Sequence, residues 1–63
     1  MTRLDRALTQ YSRAAMRIDT ATRTATVTAL AALHRTRRQW ENEARTHGAT
    51  TADLDAARRT AAA

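Results

Sequence analysis

The sequence predicts an all-α protein with one long amphipathic helix over residues 3–47, a turn at 48–50 and a short C-terminal helix over 51–61. The chain has no proline, and its only glycine is Gly48, so the strongest helix breakers are absent before that residue. Apolar residues recur at helical spacing over the same stretch, and capping residues mark both of its ends. At 63 residues the chain has room for a single small domain.

The ends of the predicted long helix carry residues that helix termini favour. Thr2 can act as the N-cap, and Asp5 stands three residues later, as in a capping box. Arg45 and His47 lie in the last turn, where cations interact favourably with the negative end of the helix dipole. Gly48 follows at the position where glycine most often ends a helix. The start and stop signals therefore agree.

A narrow apolar stripe runs along this helix when each residue is advanced by about 100° around the axis. Leu4, Thr22 and Trp40 are eighteen residues apart in turn, which corresponds to whole turns at about 3.6 residues per turn. The stripe therefore keeps its direction from end to end. Its members are Leu4, Leu8, Tyr11, Ala15, Ile18, Thr22, Ala25, Ala29, Leu33, Thr36, Trp40 and Ala44.

A straight helix of this length cannot bury its own stripe, so a neighbouring helix has to cover it. Bulky residues lie toward the two ends of the stripe, and the residues at its centre are mostly small. An antiparallel neighbour would match bulky end to bulky end and approach closely at the centre. We therefore expect a homo-oligomer, as an antiparallel dimer or a four-helix assembly, or packing against a partner helix. The expected interface residues are Leu4, Leu8, Tyr11, Ile18, Leu33 and Trp40.

The weak point of the long helix is a run in which threonine occupies every even position from Thr20 to Thr28. β-Branched residues lower helix propensity, and strict alternation is a strand signal. Neither face of such a strand would be clearly apolar, however, and the chain offers it no partner strand. A continuous helix is the preferred interpretation. The alternative is a kink, or a break into a helical hairpin, near residues 20–26.

A second, shorter helix is predicted after the turn. Thr50 or Thr51 can cap it, and Asp53 and Asp55 lie in its first turn. Its two arginines lie toward its end, so the order of charges suits the helix dipole. Leu54 is its only large apolar residue. We therefore expect this helix to pack weakly.

The sequence offers no constellation of catalytic or metal-binding residues. There is no cysteine, which excludes disulfides and thiolate metal sites. His34 and His47 are thirteen residues apart and do not form a ligand pair, and nothing places a base beside Ser12, the only serine. We therefore expect no enzymatic activity, no cofactor and no metal. The chain is interpreted as a helical interaction protein that serves as an adaptor, assembly or regulatory subunit.

The charge balance is basic, with eleven arginines, no lysine, six acidic residues and a formal net charge of +5. Such a balance favours an anionic partner such as nucleic acid. The alternative function is therefore an accessory protein that binds phosphates through one arginine-rich flank of the helix. The codon bias of a GC-rich bacterial genome would also explain the arginines, as ordinary surface cations. The expected phosphate contacts are Arg6, Arg13, Arg17, Arg35 and Arg38.

No segment is apolar enough to cross a bilayer. The longest uncharged stretch, residues 24–34, is far shorter than the roughly 20 apolar residues that a spanning helix needs. The N-terminus lacks the apolar run of a signal peptide. Ala and Thr dominate the middle third of the stripe, which disfavours binding to a membrane surface. The expected location is the cytoplasm.

Overall fold

A computed structural model describes residues 1–62 and shows three α-helices and no strand within that range. Helix α1 spans Arg3–Ala21, α2 spans Val27–Thr46 and α3 spans Thr51–Ala62. The all-α prediction is confirmed, and the short C-terminal helix lies where the sequence placed it. The prediction of one continuous helix over residues 3–47 is wrong. The chain instead breaks between α1 and α2, as in the alternative hairpin.

Threonine side chains account for the position of this break. The Thr22 hydroxyl donates a hydrogen bond to the Ile18 carbonyl oxygen at 2.6 Å and closes α1. Thr26 then has extended backbone (φ −70°, ψ 163°), and its side chain accepts a hydrogen bond from the Ala29 backbone N–H at 3.1 Å. A threonine in this geometry starts a new helix, because it satisfies an N–H that the first turn leaves without a partner. The same residue type therefore ends one helix and begins the next.

Capping hydrogen bonds also hold the starts of α1 and α3. The Asp5 backbone N–H donates to Thr2 Oγ1 at 3.0 Å, and the Thr2 backbone N–H donates to Asp5 Oδ2 at 3.4 Å. At α3, the Asp53 backbone N–H donates to Thr50 Oγ1 at 3.1 Å, and the Thr50 backbone N–H donates to Asp53 Oδ2 at 2.9 Å. Both are capping boxes. The predicted cap at Thr2 is confirmed, and Thr50 is the one of the two candidate threonines that caps α3.

Gly48 ends α2 as predicted. Its φ of +100° lies in the left-handed region, which is accessible to glycine but costly for residues with a Cβ. The His47 backbone N–H donates to the Glu43 and Ala44 carbonyl oxygens, at 3.2 and 3.1 Å, and completes the last turn. This turn redirects the chain from α2 into α3.

Helices α1 and α2 run antiparallel, and α1 packs against both α2 and α3. The N-terminal half of α1 lies beside the C-terminal half of α2, because Ala7 and Tyr11 share one core cluster with Ala44. Leu54 of α3 completes this cluster. Alanine at two of the four positions allows the helix backbones to approach closely. The antiparallel neighbour that the stripe requires is thus supplied, in part, by the chain itself.

The buried faces of the two long helices do not follow one continuous stripe. In α1, Ala7 and Ala14 are buried although neither belongs to the predicted stripe. In α2, the stripe members Ala29 and Thr36 are exposed, whereas Leu30 is half-buried. Because residues between the helices leave helical geometry, the angular register of α1 is not carried into α2. Within each helix, the buried positions therefore differ from the predicted stripe positions by about one residue.

The core is thin for a chain of this size. The solvent-accessible surface is 4598 Å², whereas a compact monomer of 7.0 kDa is expected to expose about 4,000 Å². Among residues 1–61, the buried apolar residues are three alanines, one tyrosine and one leucine. Domains this small rarely obtain more than a few kcal/mol from such a core (about 3–5 kcal/mol). Further burial against another molecule would therefore stabilise the fold.

Candidate interaction surface

One side of the α1–α2 pair forms a continuous surface, here called the open face. Its middle is a hollow between the helices, which adjoins a second hollow near the α1–α2 turn through Arg17 and Leu33. A third hollow, toward the C-terminal end of α2, adjoins the middle one through Trp40. The residues that line the open face are Gln10, Arg13, Ala14, Met16, Arg17, Thr20, Ala21, Leu33, Thr36, Gln39, Trp40 and Glu43.

Helix α3 does not cover this face. It packs against another side of α1, where Leu8, Thr9 and Ser12 line a hollow together with α3 residues. Leu8 and Arg17 are nine residues apart, which places them on opposite sides of α1 at about 100° per residue. None of the residues that line the open face belongs to α3. The open face is therefore the uncovered side of a two-helix layer.

Apolar side chains remain partly in water on and near the open face. Leu33 and Trp40 are only half-buried, and Met16 is 49% exposed. Thr36 lies between Leu33 and Trp40 and is exposed. A contiguous surface of this kind is typical of a site that another molecule covers.

Charge on the open face is divided between its two helices. The α1 side carries exposed Arg13 and Arg17. Arg6 projects in nearly the same direction, because seven and eleven residues separate it from the other two. The α2 residues that line the face include no arginine, and their only charged member is Glu43. One helix therefore presents cations, and the other presents apolar and polar groups with one carboxylate.

Glu43 is also held by its own helix. Its Oε1 lies 3.0 Å from His47 Nε2, one turn further along the chain. The glutamate side chain keeps about half of its surface exposed (52%). Its carboxylate can therefore accept a further hydrogen bond from a cation on another molecule.

The structure assigns different environments to the six predicted interface residues. Tyr11 has no exposed surface, and Leu8 and Trp40 pack against the core cluster that contains it. Leu4 and Ile18 are half-buried, as is Leu33. The open face brings together only Leu33 and Trp40 from the predicted set. Tyr11 instead acts within the chain, as the centre of the core.

The predicted arginine flank is divided by the break between the helices. Arg6, Arg13 and Arg17 lie on α1, whereas Arg35 and Arg38 lie on α2, which runs in the opposite direction. All five are exposed. The five arginines would share one side only on a continuous helix. The helix is interrupted between Ala21 and Val27. Of the arginines in the described part of the chain, only Arg37 and Arg58 form ion pairs, with Glu41 and Asp55.

Sequence reasoning missed several residues of this surface. Gln10, Gln39 and Glu43 lie outside the predicted stripe, but they border the open face once α1 and α2 pair. Ala14 gives no clear signal in the sequence, because alanine is common throughout the chain and buries little apolar surface. Within α2 taken alone, the spacing of Leu33, Thr36 and Trp40 is the sequence signal that could have located this face.

Other kinds of site have no counterpart in residues 1–62. No group of three histidine, aspartate or glutamate side chains is arranged to hold a metal ion there. Over the same residues, no helix combines the length and apolar character needed to cross a membrane. Ser12 lines the hollow between α1 and α3, and no histidine borders that hollow. Comparison with protein-family models, with curated proteins and with solved structures gives no match.

Proposed function

We propose that this chain is a non-enzymatic helical interaction protein, an adaptor, assembly or regulatory subunit that packs its open face against another protein surface. The observation that supports this function best is the uncovered pair of Leu33 and Trp40, half-buried beside Arg13 and Arg17. Tryptophan and arginine are among the residue types most enriched at the hot spots of protein interfaces. Covering them would also enlarge a core that is thin on its own.

A photo-reactive amino acid placed at Thr36 tests this proposal. Thr36 is exposed between Leu33 and Trp40. Its hydroxyl bonds only within its own helix, to the Ala32 carbonyl oxygen at 3.2 Å, so the fold should tolerate the replacement. The matched control is Ala31, which is exposed on the same helix and turned about 140° away. Both variants are irradiated in cells that express the protein.

A discrete protein adduct formed from position 36 and not from position 31 is the expected result. The mass of the adduct distinguishes a second copy of the chain from a different protein. Equal adducts from both positions, or none from either, would overturn the proposed interaction function.

The alternative function is a nucleic-acid accessory protein, and one feature of α2 favours it. Arg35, Arg38 and Arg45 are exposed and lie on the part of the helix directed away from the open face. Within residues 1–62 none of them forms an ion pair. His34 is exposed beside them. A helix side with several cations can bind phosphates without reading bases.

Fluorescence anisotropy with labelled duplex DNA and single-stranded RNA tests this alternative. If the alternative is correct, the logarithm of the association constant falls linearly with the logarithm of the salt concentration. The double variant R35A/R38A should reduce the magnitude of that slope by about two. The matched control is R13A/R17A, which removes the same charge from the other helix. Absence of any shift at low ionic strength excludes the alternative.

A further inference from the structure

We propose that the partner of the open face is a second copy of this chain, with α1 of each copy lying on α2 of the other in a four-helix arrangement. The two copies would be related by a two-fold axis parallel to the helices. This inference rests on the proposed interaction function, because it names the partner of the same face.

The size of the open face fits a weak homodimer. The molecule measures 33 × 22 × 20 Å along its principal axes, so a face made by two adjacent helices covers roughly 600 Å² per copy. The two copies together would bury about 1,200 Å², which is at the lower limit for a specific interface. Interfaces at this lower limit are typical of weak or transient complexes. Each copy would bury Leu33 and Trp40 more completely and shield Met16 from water.

The distribution of charge selects the way in which the two copies pair. Two stacked helix pairs can be related by a two-fold axis that lies across the helices or along them. An axis across the helices places α1 on α1 and brings Arg13 and Arg17 against the same residues of the second copy. An axis along the helices places α1 on α2, and the open face of α2 carries no arginine. Like charges are avoided only in the second arrangement.

The second arrangement also brings opposite charges together at one end of the bundle. Ala7 and Ala44 share the core cluster, so Arg6 and Glu43, one residue from each, lie within about 3 Å of the same height along the helix pair. A two-fold axis parallel to the helices preserves height. Arg6 of one copy therefore comes level with Glu43 of the second copy, and the dimer contains this pair twice. Thr36 lies near the middle of the same face, level with Arg13.

Light scattering and sedimentation on the purified chain over a range of micromolar concentrations test the proposal. The wild-type chain should show twice its monomer mass of 7.0 kDa. Thr36→Arg should prevent association, because it places a cation against Arg13 of the second copy. Ala31→Arg adds the same charge to the outer side of the same helix and should leave the dimer intact. Circular dichroism confirms that each variant is folded.

The orientation of the two copies is tested by exchanging charges. Arg6→Glu or Glu43→Arg alone should raise the dissociation constant about tenfold or more, because each creates two like-charge pairs. The double variant R6E/E43R should restore the wild-type value. Failure of this rescue, in a chain that still dimerises, would overturn the proposed pairing of α1 with α2.

Two further outcomes would overturn the inference. One is a folded wild-type monomer at every concentration. The other is a dimer that Ala31→Arg disrupts and Thr36→Arg does not, which would place the interface on another face. A monomer that still gives an adduct of a different protein from position 36 would leave the interaction function standing, so the two failures are distinguishable.

Discussion

Tyr11 and Ala44 have no solvent-exposed surface and lie in the same core cluster, although thirty-three residues separate them in the chain. Both lie in the half of the α1–α2 hairpin that is opposite its turn. Leu54 enters the cluster from α3. The three helices therefore meet at one small site, which explains why short helices with few large apolar residues hold a defined arrangement.

Enlarging Ala44 should destabilise the protein. Ala44→Leu adds three carbon atoms where Ala7 and Tyr11 already fill the space, and overpacking of this kind typically costs about 1–3 kcal/mol. Urea denaturation followed by circular dichroism measures the change. The matched control is Ala31→Leu, at an exposed position of α2 directed away from the open face, which should have little effect. Equal effects of the two substitutions would contradict the central role of the cluster.

Removing the Tyr11 hydroxyl should stabilise the protein. The hydroxyl oxygen is buried and has no hydrogen-bond partner among the described residues, and an unpaired buried polar group costs about 1–3 kcal/mol. Tyr11→Phe keeps the ring and removes that group. We expect the unfolding midpoint to rise, since about 1 kcal/mol corresponds to about 4–8 °C for a domain of this size. A lower midpoint would show that the hydroxyl has a partner in solution.

Loss of the Thr26 cap should weaken the start of α2. Thr26→Ala removes the side-chain oxygen that accepts from the Ala29 backbone N–H, and such substitutions cost about 0.5–2 kcal/mol. Thr28→Ala is the control, because Thr28 is exposed within the first turn and alanine has the higher helix propensity. Thermal unfolding should distinguish the two variants, and the unfolding midpoint of Thr26→Ala should be lower than that of Thr28→Ala. The reverse order would argue against this cap.

Gly48→Ala should be destabilising for conformational reasons alone. A Cβ at this position would meet no other atom within 4 Å, but the backbone has φ +100°. Any loss of stability therefore measures backbone strain, which is of order 1 kcal/mol or more. Gly48→Asn should cost less, because asparagine tolerates positive φ better than alanine. Chemical denaturation of the three proteins gives the ranking.

The capping signals were readable from sequence because they are local. Thr2 with Asp5, and Thr50 with Asp53, each act over three residues, and both pairs form capping hydrogen bonds. Gly48 ends α2 for an equally local reason, since only its backbone conformation is involved. For the same reason the bounds of α3 followed from the sequence to within one residue.

The break between α1 and α2 could be identified only as an alternative. Thr22 and Thr26 favour caps, but the energy of a cap is small, about 1 kcal/mol, and comparable to that of continuing a helix over several residues. Packing of α1 on α2 decides between the two, and packing depends on residues that lie far apart in the chain. The single stripe and the single arginine flank were both predicted on a continuous helix. In the structure the residues of each set are divided between α1 and α2.

The sequence by itself determined the helical content, the start of α1, the end of α2, the bounds of α3 and the absence of a large core, because propensities, caps and composition act locally. The tertiary structure decided that the chain folds back on itself, that Tyr11 belongs to the core and that Leu33 and Trp40 remain on an open face. These features depend on which surfaces meet. Local rules cannot select among such pairings, since the same apolar residues would be buried by a hairpin or by a second chain.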